Sequence, residues 1–162
     1  MGLLKIVLFS PEDLSIIKNG PAERRRFIDM ELCQIDKIYL NDLSLYKKAL
    51  NQRNKLLKDI LLNKSLKDML FAWDEKLVFH GKRVINRRKR FIEELKNVAE
   101  KNYRNIAGSS EPLYVFYEPN TESEEYEKKL KINTEKDFDI FEKYINNRTY
   151  YCCKKYVIFH SH

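Results

Sequence analysis

The stretch Asp36-Lys-Ile-Tyr-Leu-Asn-Asp-Leu-Ser-Leu-Tyr-Lys-Lys-Ala-Leu-Asn-Gln-Arg-Asn-Lys-Leu-Leu-Lys-Asp-Ile60 decides the fold. Tyr39, Leu43, Tyr46, Leu50, Arg53, Leu57 and Ile60 recur at alternating steps of four and three, a heptad seam with a charged break at Arg53. Asp36 precedes it as a helix cap. A second seam follows: Leu66, Leu70, Trp73, Leu77, Val84, Phe91, Leu95, Val98 and Asn102. It predicts one helix from near Ser65 almost to Ile106, about 60 Å long at 1.5 Å per residue. Gly81 weakens it and marks a kink, while Gly108 is a stop signal. Two long helices with apolar seams need each other, so the expected fold is mainly α, built on an antiparallel, coiled-coil-like hairpin.

Short elements flank that hairpin. Leu4 to Phe9 is an apolar run closed by Ser10-Pro11 and reads as a buried strand. Pro21 is placed to start a helix running to about Cys33, where its missing N–H costs nothing. Leu113 to Glu118, aromatic and β-branched between prolines, reads as a second strand, and Tyr150 to Phe159 is a weaker third. Thr121 with Glu124 and Thr134 with Asp137 look like helix-start caps.

Composition bounds the function. The 162 residues make one domain with room for a core. A net charge of +7 and a pI near 9.2 favour acidic partners, nucleic acid first. The charge is uneven: Lys82 to Arg104 holds nine Lys or Arg against three Glu, whereas Glu111 to Glu142 holds ten acids against four lysines. No apolar run reaches the roughly 18 residues of a membrane span. Three cysteines, two of them adjacent, give no disulfide framework and fit a reducing cytoplasm.

Three groups carry chemistry. Glu12-Asp13, directly after the first expected strand, either holds Mg²⁺ and orients water at a nucleotide phosphate or forms a turn in which Asp13 caps the next segment. Arg24-Arg25-Arg26 put positive charge at the helix end whose dipole disfavours it, which an anion would compensate; the alternative is a solvated face. Lys82, Arg83, Arg87, Arg88, Lys89 and Arg90 make a cationic stripe suited to DNA phosphates, or to the acids of a neighbouring helix. Tyr103, Tyr114 and Tyr117 are residues on which bases can stack, and equally core aromatics. Cys33 reads as core packing. Cys152, Cys153, His160 and His162 have zinc-ligand chemistry without the usual spacing, so no metal site is assigned.

Phe9-Ser-Pro-Glu-Asp-Leu14, Lys18-Asn-Gly-Pro21, Arg24-Arg-Arg-Phe-Ile-Asp29, Tyr39-Leu40 and Gln52-Arg-Asn54 together resemble the RecF family of bacterial recombination mediators, relatives of the SMC and ABC-type ATPases. Weaker echoes follow at Trp73-Asp74, Gly81 to Phe91, and Ile106 to Gly108 leading into Leu113 to Pro119. The resemblance spans roughly residues 5 to 140. It implies the helical second lobe of a larger ATPase whose Walker A loop, signature motif and Walker B strand lie elsewhere, so this segment alone is expected to be inactive. It further implies ATP and Mg in the full-length protein and an ATP-dependent homodimer. DNA at single-strand/double-strand junctions and RecR with RecO are the implied partners, with RecA loading in gap repair and the SOS response as the role. By the same resemblance Glu12 and Asp13 are nucleotide sensors of the Q-loop kind, and Lys18 with Arg24 to Arg26 lie near DNA or the dimer interface. The lobe is expected over residues 1–142, with a basic arm at 82–104 and an acidic end at 111–142. Residues 143–162 depart from the family pattern and form an unassigned tail. The rival expectation is a coiled-coil interaction module with no direct DNA role.

Overall fold

The computed structural model describes Ser10 and residues 15–18, 20–108 and 112–146. Glu12, Asp13, the expected strands at 4–9 and 150–159, and the Cys152, Cys153, His160 and His162 group lie outside the described residues. One turn, α1 (Ser15–Lys18), precedes α2 (Pro21–Ile35), then α3 (Lys37–Leu62), a 3₁₀ turn (Lys64–Met69), α4 (Leu70–Ala107) and α5 (Tyr126–Asn146).

Local chemistry sets these boundaries. Asp36 ends α2 and starts α3: its N–H donates to Leu32 O at 2.8 Å, and its carboxylate accepts from Ile38 N and Tyr39 N at 2.9 Å each. One residue thus satisfies backbone groups at two helix ends. Asn63 ends α3 and accepts from Ser65 N and Ser65 Oγ, which turns the chain into the 3₁₀ segment. Gly108 closes α4 in the left-handed region at φ 57°, where a side chain would be strained.

α3 and α4 form the antiparallel hairpin the seams require, and three apolar clusters succeed one another along it. Near the turn, Leu56, Leu57, Ile60 and Leu70 pack with Trp73 and Phe138. Midway, Ala49, Leu77, Tyr126 and Leu130 close with Tyr46 and Trp73, bringing α5 onto the pair. At the far end Ile28 and Leu32 of α2 meet Tyr39, Leu43, Val84 and Ile92. Leu32, Leu57, Leu77 and Leu130 are almost wholly buried, each stabilising by about 1.5–3 kcal/mol relative to exposure. With 38 residues against 26, α4 outruns α3 by several turns, and Val98 and Ile106 on that overhang are exposed.

Five sequence expectations need correction. Among the described residues no strand forms: 113–118 is extended, with Leu113, Val115 and Tyr117 half-buried and Tyr114 and Phe116 exposed, but no neighbouring backbone pairs with it. Its alternation is strand-like because one side packs on α2 and α4. Gly81 does not interrupt the helix. A Cβ there would lie 2.8 Å from Tyr126 Cε1 and 3.3 Å from Tyr46 Cε2, so the glycine admits two rings. Arg53 is no break either; it is 1% exposed, 2.5 Å from the Asp74 carboxylate and hydrogen-bonded to Thr134. Thr134 therefore caps nothing: it lies inside α5 and donates to Leu130 O at 2.8 Å. Thr121 lies five residues before α5 begins.

Candidate nucleic-acid interface

The cationic stripe of α4 divides into an inner and an outer row. Arg88 reaches α2: its Nε and Nη2 donate to the two Asp29 oxygens at 2.9 Å, and Nε also approaches Tyr39 Oη at 3.1 Å. Tyr39 donates its hydroxyl to Asp29 at 2.5 Å, closing a triad between α2, α3 and α4. Burial opposes the Arg88 charge, yet Tyr39 and Asp29 outweigh it and hold its pKa above the ordinary value. Burial likewise raises the Tyr39 phenol, with the Asp29 carboxylate adding to it. Arg87 donates to Asp36 at 2.7 Å, and Arg83 pairs with Asp42 at 2.7 Å, which also meets His80 Nδ1 at 2.9 Å. The Asp36 carboxyl sits below its ordinary value, chiefly because the Tyr39 amide donates to it and then because Arg87 does.

These inner residues clamp α4 to α2 and α3. The outer row faces solvent: Arg90 is exposed, Lys89 is half exposed and 3.5 Å from Glu122, and Lys82 is half-buried. The Glu124 carboxyl there is lowered first by the Ser123 hydroxyl and more weakly by Lys89 and Lys82.

A second cationic group stands at the start of α2. Lys18 is exposed on α1. Arg24, also exposed, donates to Ile16 O at 3.4 Å, and Arg26 lies 3.8 Å from Glu23. Arg25 points inward, where burial and then Arg88 lower its pKa. Arg24, Arg25 and Arg88 border a cavity of about 530 Å³ between α2, α4 and the 115–121 segment.

Pairing of the stripe with acids of a neighbouring helix was the alternative the sequence offered; which acids these are, Asp29, Asp36 and Asp42, it did not single out. Asp29, Asp36 and Asp42 fall at steps of seven and six ahead of Arg83, Arg87 and Arg88, and that spacing was the available signal. Among the described residues no group of three or more His, Cys, Asp or Glu could hold a metal, and no helix is long and apolar enough to cross a membrane.

No protein-family model matches the chain. It is 54% identical over 129 residues to the DNA replication and repair protein RecF of Agathobacter rectalis, covering 80% of this chain and 36% of that protein. The same protein of Lachnoclostridium phytofermentans is 48% identical over 136 residues, covering 84% and 38%. A solved structure of the recombination mediator RecF with ATP in the RecFOR pathway superposes with a TM-score of 0.68 at 35% identity, covering 82% of this chain and 38% of that one. The chain belongs to the RecF family. It spans a little over a third of the length of the curated RecF relatives it matches. A second RecF structure superposes with a TM-score of 0.70 at 38% identity, covering 85% of this chain and 38% of that one.

Proposed function

We propose that this chain is the helical lobe of a RecF-like recombination mediator acting in DNA replication and repair, and that the lobe contributes DNA contacts. The observation that carries this reading is the outer cationic row. Arg87 and Arg88 turn inward to Asp36 and Asp29, whereas Arg83, Lys89, Arg90, Lys18, Arg24 and Arg26 are exposed, Arg83 while paired with Asp42, Lys89 with Glu122 and Arg26 with Glu23. Phosphate contact needs only such exposed cations and is sequence-independent. Lys82 and Arg25 support the same surface from half-buried positions, while Arg83, Arg87 and Arg88 hold the helix that presents it. The lobe is taken as residues 1–142. In the full-length protein, ATP and Mg would sit on parts outside this segment, with Glu12 and Asp13 sensing the nucleotide. A homodimer formed on ATP, RecR and RecO as partners, junction DNA, RecA loading and a cytoplasmic setting belong to the same proposal.

The test is DNA binding by fluorescence anisotropy at low salt. Each phosphate contact adds about 0.9 to the slope of log affinity against log salt. Replacing Lys89 and Arg90 by Gln lowers that slope by about one to two while the helical circular dichroism is kept. Absence of binding at 50 mM salt, or a slope unchanged in the double variant, removes the DNA role from this lobe.

A protein-interaction module is the second reading, favoured by Phe71, Phe79, Val98 and Ile106, all exposed along α4. It predicts association that DNA does not affect.

A further inference from the structure

The outer side of α3 repeats as regularly as its buried seam. Opposite the line of Tyr39, Tyr46 and Arg53, the outermost heptad positions carry Lys37, Lys48, Lys55 and Lys58, with asparagine or serine at the others. All of them are exposed and none is acidic. From Lys37 to Lys58 the stripe runs about 30 Å at 1.5 Å per residue. Among the described residues none of the four lysines forms an ion pair. Of the two acids of α3, Asp42 is buried against His80 and Arg83, and Asp59 is exposed one turn beyond Lys55. Lys55 and Lys58 stand three residues apart, a spacing at which like charges on a helix repel. An anion laid along the stripe relieves that repulsion.

The stripe is separate from the cationic row of α4. Tyr39, Leu43 and Ala49 turn the seam of α3 inward, where it meets Leu77 and Val84 of α4. Lys89, five residues after Val84, lies on the far side of α4. Lys48 and Lys55 therefore point away from Lys89 across the hairpin, and DNA along one face leaves the other open. A protein surface is the poorer fit, because the centre of a protein interface is depleted of charge and of lysine. A phosphate backbone is met by lysines, and asparagine and serine add hydrogen bonds to its oxygens.

We propose that the outer face of α3 binds the phosphate backbone of a second DNA segment, so that one lobe holds two duplexes, one on each side of the hairpin. The inference goes beyond the DNA-binding reading and rests on it, since the α4 row takes the first segment.

The experiment titrates the unaltered chain at low salt with a fluorescein-labelled duplex of about one helical turn, roughly 34 Å, and reads the stoichiometry by sedimentation velocity. At excess duplex each single chain is expected to carry two. Lys48→Gln, Lys55→Gln and Lys58→Gln together, changes at exposed positions to a good helix former, are expected to leave one and to weaken the second step by about tenfold or more. One duplex per unaltered chain overturns the inference and leaves DNA binding by α4 intact. Two duplexes on each chain of the triple variant, at unchanged helical content, also overturn it. If the second step appears with polyglutamate and not with DNA, the face belongs to an acidic protein and the inference is overturned. If no duplex binds, both readings fall. Should the triple variant not fold, Lys55→Gln alone is expected to lower the salt slope of the second step by about 0.9, and an unchanged slope overturns the inference.

Discussion

Gly81→Ala is expected to destabilise the protein, against the ordinary preference of a helix. In an open helix interior the change gains about 1 kcal/mol. Here the new methyl meets Tyr126 Cε1 at 2.8 Å and Cζ at 3.1 Å, with Tyr46 Cε2 at 3.3 Å. Carbon contacts are favourable near 3.5–4.0 Å, so the Tyr126 ring must withdraw by about 0.7 Å or more. It has little freedom to do so, because Leu130 and the Arg53–Thr134 contact hold α5 in place. Overpacking of this kind costs about 1–3 kcal/mol, leaving a net loss of up to about 2 kcal/mol after the helical gain. Urea unfolding followed at 222 nm reads this as a lower midpoint at unchanged slope. The decisive comparison uses Tyr126→Leu, which removes the ring and is itself destabilising. In that background Gly81→Ala is expected to become stabilising by up to about 1 kcal/mol, so the double-mutant cycle shows a coupling of about 1–3 kcal/mol. If Gly81→Ala stabilises the parent chain, or costs the same in both backgrounds, close approach is not the reason for the glycine.

Asp74→Ala is expected to cost about 1.5–3 kcal/mol in urea melts, because it removes the carboxylate 2.5 Å from the 1%-exposed Arg53 guanidinium, and an unchanged midpoint refutes the account. Arg88→Gln breaks the Asp29–Tyr39 triad and lowers the melting temperature by several degrees, whereas Arg90→Gln leaves it within a degree or so. The Asp36 carboxyl has a folded pKa below its ordinary 3.8, so the unfolded chain takes up the proton first. Its contribution is present above that ordinary value and is lost as pH falls through the folded pKa. Asp36→Asn should flatten the acid limb of a stability–pH curve, and an unchanged limb would refute this assignment.

What the sequence made legible followed from repetition. Alternating four- and three-residue steps needed no tertiary knowledge to place α3 and α4, and Asp36 and Gly108 marked boundaries through backbone chemistry that acts within a few residues. The features read differently all depended on a neighbour distant in the chain. Gly81 looked like a weakness because the Tyr126 ring is 45 residues away. Arg53 looked like a defect in the seam because Asp74 and Thr134 lie on other helices. Thr134 with Asp137 has the spacing of a cap, and tertiary packing placed it inside a helix instead. The candidate surface was half legible: six cations were apparent on α4, but which of them faced acids required the register of α3 against α4. The α2 cavity had no linear signature, since its walls come from four separated stretches of the chain.

That register has a consequence for how the hairpin can move. A heptad seam repeats, so an apolar pair alone would tolerate sliding by seven residues with nearly equivalent contacts. Arg53 removes the equivalence. Shifted by one repeat it would face Lys67 or Gly81 in place of Asp74, losing the carboxylate 2.5 Å away. Asp36 would exchange Arg87 for His80 or Glu94 at the same step. The hairpin is therefore a bolted strut with no ratchet positions, and a displacement at one end reaches the other as a pivot of the whole rod.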